Sequence, residues 1–177
     1  MQCKVFVQDI TIEVSGIRMA QKESKTTHVS DYMSNKLVTI DSDTTALEIA
    51  NKMLEKQVSA VIVVDSGKPV GILTERDLTR QVIAKDSPPS KTPATVIMST
   101  PLISVDKDAP IERAAEAMAK NGVRHLAVED DSKIIGMITT TDLSRYVKEK
   151  LLDKERVSRP ILEVLYPSEE PSEAYWF

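Results

Sequence analysis

The chain has 177 residues, enough for one domain or two very small ones sharing a core, and too few for a large multi-domain enzyme. Hydrophobic residues at 41% and charged residues at 28% are the proportions of a folding globular chain rather than a disordered one. The formal charge of −4 comes without any basic stripe, and aromatic residues reach only 4%, so neither a phosphate backbone nor unstacked bases find their usual platform and nucleic acid is not an expected partner.

The single cysteine, Cys3, cannot close an internal disulfide, and His28 and His125 alone cannot complete a structural zinc site. A reducing compartment and no dedicated metal site are expected. The longest uninterrupted apolar run, Ala60 to Val64, falls far short of the ~18 to 20 residues that span a bilayer, and the first thirty residues lack the apolar stretch of a signal peptide. The expectation is a cytoplasmic protein with no membrane partner.

In chain order, residues 1–28 form an N-terminal extension in which Val5, Val7, Ile10, Ile12 and Val14 suggest a strand interrupted near Gln8-Asp9. Beyond it the sequence repeats. Shifted by 65 residues, Met33 to Lys85 matches Met98 to Lys150 without a gap and with about a third of positions identical, including Gly71/Gly136, Thr74/Thr139 and Asp77/Asp142. Mere similarity of helices and strands would share apolar pattern, not Gly, Thr and Asp in one register.

Each copy reads as β-α-β-β-α. Leu37 to Asp41 and Leu102 to Asp106 are short β-type segments. Ala46, Ile49, Ala50, Met53 and Leu54, and in the second copy Ile111, Ala114, Ala115, Met118 and Ala119, have the i, i+3, i+4, i+7, i+8 spacing of an amphipathic helix. Thr45 and Glu48 form a capping-box pattern at the first helix start, and Pro110 takes the equivalent place in the second. Val58 to Val64 and Val123 to Glu129 are followed by turns and by return runs at Pro69 to Thr74 and Ile134 to Thr139, which predicts two hairpins. Closing helices carry Leu78 and Val82, and Leu143 and Val147. The first repeat is placed at 29–85, a Pro-rich linker at 86–93, the second repeat at 94–152 and a C-terminal tail at 153–177 ending in Tyr175-Trp176-Phe177. A ~65-residue unit is marginal alone, so the α/β fold expected is two repeats packed sheet against sheet into one pseudo-two-fold module.

No nucleophile, base and orienting group can be assembled, so no catalytic residue is assigned. Asp130-Asp131 falls in a hairpin turn, where Asp serves local hydrogen bonding. The feature that looks chemical is Gly71-Ile-Leu-Thr74-Glu-Arg-Asp77 and its copy Gly136-Met-Ile-Thr139-Thr-Thr-Asp142, where a strand ends and a helix begins. A helix start offers free N–H groups to an anion, a Thr hydroxyl adds a hydrogen bond, and an Asp carboxylate accepts from the vicinal hydroxyls of a ribose. Thr-x-x-Asp is equally an ordinary helix cap, and the preceding glycine and the repetition weigh toward the ligand.

These motifs, with Met33-Ser34, Val38-Thr39-Ile40-Asp41 and the Val58 to Asp65 run, resemble a cystathionine β-synthase (CBS) domain, and two in tandem resemble a Bateman module. The resemblance spans Val29 to about Leu152. It implies a non-catalytic regulatory module that binds AMP, ADP, ATP or S-adenosylmethionine in clefts between the repeats, with no required cofactor and with Mg²⁺ entering only through the ligand's phosphates. It implies ribose and phosphate contacts from Thr74 and Asp77, and from Thr139 and Asp142. It implies an adenine lining of Met33, Val38, Val58 and Ser59 around Asp142, and of Met98, Ile103 and Val123 around Asp77. Only the second copy has basic residues at its second strand, Arg124 and His125 against Ser59 and Ala60, so the Asp142 cleft is expected to bind a phosphorylated ligand more tightly. The family's usual Pro before the strand's last Val is replaced by Ile62 and Ala127. A homodimer and an effector protein are the implied partners. A ligand-free interaction module, and an enzyme with its site in the flanking segments, stay open.

Overall fold

The computed structural model describes residues 26–152 and 157–165. The suggested strand at Val5 to Val14, Cys3 and the Tyr175-Trp176-Phe177 cluster lie outside the described residues. Two three-stranded sheets carry the fold. The first contains β1 (Thr39–Asp41), β2 (Ala60–Asp65) and β3 (Lys68–Thr74), and the second β4 (Ser104–Asp106), β5 (His125–Asp130) and β6 (Lys133–Thr139). In each, the first two strands are parallel and the last two antiparallel, with Ala60 opposite Thr74 and His125 opposite Thr139.

The helices follow the repeat. α1 (Ala46–Lys56) starts on a complete capping box in which Thr45 and Glu48 satisfy each other's backbone N–H. The first closing helix begins as a single α-turn, α2 (Glu75–Asp77), and continues as a π-helix over Leu78–Ile83. α3 (Ala94–Ile97) opens the second half, α4 (Ile111–Asn121) mirrors α1, and α5 (Thr140–Leu152) stays α-helical throughout. α6 (Arg159–Leu165), within the expected tail, packs on α4 and α5 and buries Ile161 completely. Both hairpins turn on two residues of positive φ, Ser66 (48°) with Gly67 (78°) and Asp131 (47°) with Ser132 (64°), the geometry that matches strand twist. Asp131 is therefore a turn residue, while Asp130 ends β5 opposite Lys133 and pairs with Lys107 at 2.8 Å.

Alternation along β2 splits its buried side chains between two cores. Val61 and Val63 join Ile49, Met53 and Val82 under the first repeat's helices, whereas Ala60 and Ile62 meet Ala127 and Met137 of the second sheet. The repeats thus pack sheet on sheet. Their leading segments also cross over. Val29, fully buried, belongs to the second repeat's core, and Ala94 and Ile97 belong to the first's. The crossing is hydrogen-bonded at both places: Ser34 exchanges N–H···O bonds with Met137, and Ser99 exchanges them with Ile72. The end of the Pro-rich linker is part of this packing, since Thr92 is buried and its carbonyl accepts from Ala46 N–H at 2.8 Å.

Candidate functional site

β1 and β2 begin at the end of the sheet where β3 finishes, so Val38, Val58 and Ser59 share one edge of the first repeat with Thr74. Ile103, Val123 and Arg124 share the matching edge of the second with Thr139. Sheet packing brings these two edges together, and Ser59 Oγ lies 3.2 Å from His125 Nε2. Val38 and Val58 pack on the first core and Ile103 and Val123 on the second. Met33 and Met98 arrive on the crossing segments, Met33 beside Gly136 and Met98 beside Gly71.

Both Thr-x-x-Asp motifs are built alike. Asp77 Oδ2 accepts from Thr74 N–H at 2.8 Å and from its Oγ1 at 2.6 Å, while Thr74 Oγ1 accepts from Asp77 N–H at 3.3 Å. The second copy repeats this with Asp142 Oδ2 at 2.9 Å and 2.8 Å and a return bond of 3.4 Å. The helix cap is thus fully formed, and in each motif it consumes only Oδ2. Oδ1 lies outside the cap in both motifs.

The motif glycines have a different reason from the one the sequence suggested. A Cβ on Gly71 would stand 2.7 Å from the Ser99 carbonyl oxygen, and one on Gly136 would stand 2.6 Å from that of Ser34. Glycine is required there by the crossing segments, so it carries no weight for a ligand.

Electrostatics distinguishes the two edges. Burial, and then the nearby Arg124 and Arg76 guanidiniums, hold His125 below its usual value, with Asp77 and Asp142 acting in the opposite sense. His125 is consequently neutral at pH 7, a hydrogen-bonding rather than a cationic group. Arg76 is itself pulled down by burial and by its neighbours Arg124 and Arg80. Two guanidiniums, Arg124 and Arg80, therefore repel Arg76 at the first motif while Asp77 attracts it, an arrangement that favours an anion. Arg76 had no place in the sequence-based site, although its position within the Thr74 to Asp77 motif was a usable signal.

The second motif is closed differently. Arg145 Nη2 lies 3.2 Å from Asp142 Oδ1 and donates to the Tyr32 carbonyl at 2.6 Å, with the guanidinium 5.6 Å from the centre of the Tyr32 ring. Tyr32 OH donates to Glu149, and burial together with that bond pushes its phenol up to about 12. Among the described residues no cluster of His, Cys, Asp or Glu could hold a metal ion, and no helix is long and apolar enough to cross a membrane.

The CBS domain family profile matches residues 29–84 and 94–149. A protein of Methanopyrus kandleri is 36% identical over 117 residues, 65% of this chain; the chain spans 60% of that relative's length. The fold is similar to that of the CBS domain protein TA0289 of Thermoplasma acidophilum (TM-score 0.67, 29% identity, 78% of this chain and 74% of that one). It is also similar to the CBS domain pair of protein MJ0100, solved in complex with 5′-methylthioadenosine and S-adenosyl-L-methionine (TM-score 0.64, 28% identity, 71% and 98%). With both repeats matched and the paired sheets reproduced, this chain belongs to the CBS-domain family and carries two such domains in tandem.

Proposed function

We propose that the chain is a non-catalytic regulatory module that senses an adenosine-containing nucleotide, AMP, ADP, ATP or S-adenosylmethionine, in clefts between its two repeats. The observation that carries this reading is the equivalence of the Thr74/Asp77 and Thr139/Asp142 motifs. Each lies at the edge where both repeats meet, and each keeps one carboxylate oxygen outside its cap. The adenosyl ligands of the MJ0100 pair support it. Asp77 and Asp142 would take the ribose hydroxyls, Arg124 and Arg76 the phosphates, and His125 a neutral hydrogen bond. Met33, Val38, Val58 and Ser59 would line one base, and Met98, Ile103 and Val123 the other. Mg²⁺ would enter with a polyphosphate and not on its own.

Ligand occupancy would act by favouring one relative placement of the repeats, or one docking of the terminal segments on an effector protein, and it can do so only through different affinities for the two states. A homodimer through the helix faces is part of the same reading. Thermal unfolding with a panel of adenosyl nucleotides tests it, since a ligand at 100 times its Kd adds ~2.7 kcal/mol of stability. No shift with any of them would favour the second reading, an interaction module without ligand. The observation favouring that reading is that both caps are satisfied internally. Turnover of ATP or AMP by the pure protein would restore the enzymatic alternative.

A further inference from the structure

We propose that Arg145 is an internal counter-ion that occupies the ribose-binding oxygen of Asp142 and makes the two clefts unequal, the Asp77 cleft filling first. This rests on the ribose role proposed above for the two aspartates. In the second motif Oδ2 is consumed by Thr139 and Oδ1 is paired with Arg145, so an incoming pair of ribose hydroxyls meets an acceptor already engaged. Arg145 is fixed there from a second side. It also donates to the carbonyl of Tyr32, whose ring lies against the guanidinium and whose hydroxyl is tied to Glu149, a residue one turn further along α5. The Asp142 side chain is only 13% exposed, so little water screens the pair on that side.

The first motif is the internal control. Arg80 stands at the position equivalent to Arg145, three residues after Asp77, yet among the described residues no cation forms an ion pair with Asp77. The residue equivalent to Tyr32 is Ile97, whose side chain is buried in the first core and offers no ring to hold Arg80. The helix that carries Arg80 is moreover the π-helix Leu78–Ile83, whereas Arg145 sits on a regular α-helix. One sequence motif thus has two electrostatic states, set by what the crossing segment places beside it. The ranking opposes the one that Arg124 and His125 suggest by themselves. Arg124 also exerts its charge on Arg76 of the first motif, so its charge is not reserved for the Asp142 cleft.

Titration calorimetry with 5′-methylthioadenosine tests this, because the probe carries a ribose and no charge, so loss of a cation cannot weaken it by removing a phosphate contact. In an Asp77→Ala background only the Asp142 cleft is read. Arg145→Met, which keeps the aliphatic stem, is expected to tighten binding there by about threefold to fivefold, the worth of a partly exposed ion pair. Arg145→Lys, which returns a cation, brings the weaker affinity back. Unchanged or weaker binding by Asp77→Ala/Arg145→Met would overturn the proposal, with far-UV circular dichroism and the melting midpoint showing that the variant is folded. Full binding by both Asp77→Ala and Asp142→Ala single variants would instead overturn the ribose reading, and this proposal with it, a pattern distinct from the first.

Discussion

Gly136 and Gly71 leave no room for a methyl group, because a backbone carbonyl of the other half's leading segment sits where Cβ would be. Carbonyls cannot rotate away as side chains do, so Gly136→Ala and Gly71→Ala should each cost ~1 to 3 kcal/mol, read as a lower midpoint in urea denaturation. His125 gives a pH prediction at the same scale. Its folded-state value lies below the ordinary ~6.5, so the unfolded chain binds more protons as pH falls through that value and stability declines. The loss is absent well above pH 6.5 and complete once pH has passed the folded value. His125→Gln should flatten this part of the profile, so that urea midpoints at pH 7.5 and pH 5.5 lie closer together in the variant than in the wild type.

At the scale of elements, Ala50 and Ala115 occupy the same position of α1 and α4 but differ in surroundings: Ala50 is exposed, whereas Ala115 is fully buried in the core that also holds Ile161 of α6. Ala115→Leu should therefore cost ~1 to 3 kcal/mol by overpacking, and Ala50→Leu should stay within ~0.5 kcal/mol. Ile161→Ala should cost ~2 to 5 kcal/mol if α6 holds the second core as its burial indicates. Chemical denaturation of the three variants checks all of this. The helices, hairpins and their turns were legible in the sequence because their signals are local: the Thr45–Glu48 box, the i, i+3, i+4 stripes and the Ser66-Gly67 pair. The crossing of Val29 and Ala94 into opposite halves was not, since apolar periodicity marks a buried residue without saying which core receives it. The glycines were misread for the same reason. Their partners Ser99 and Ser34 are distant in sequence, and the Arg145–Tyr32 contact is more distant still, at 113 residues. Nor did residue spacing distinguish the π-helix after Asp77 from the α-helix after Asp142.

For the whole molecule, the repeat arranges two similar backbones around one meeting edge, and the side chains and the closing helices then make them unequal. α6 covers the helix face of the second repeat, while the first repeat's elements leave Leu54 79% and Ile83 71% exposed. A homodimer formed on these residues should be seen by light scattering at micromolar concentration, and Leu54→Glu should convert it to monomer; a wild-type monomer would end the dimer proposal without touching the fold. The central claim is that Asp77 and Asp142 hold an adenosyl ligand. Its most direct test is titration calorimetry of AMP, ADP, ATP and S-adenosylmethionine into the wild type and into the Asp77→Ala/Asp142→Ala double variant. Saturable binding of at least one ligand that disappears in a folded double variant is the predicted result; binding of none, or binding that survives the double substitution, would contradict it.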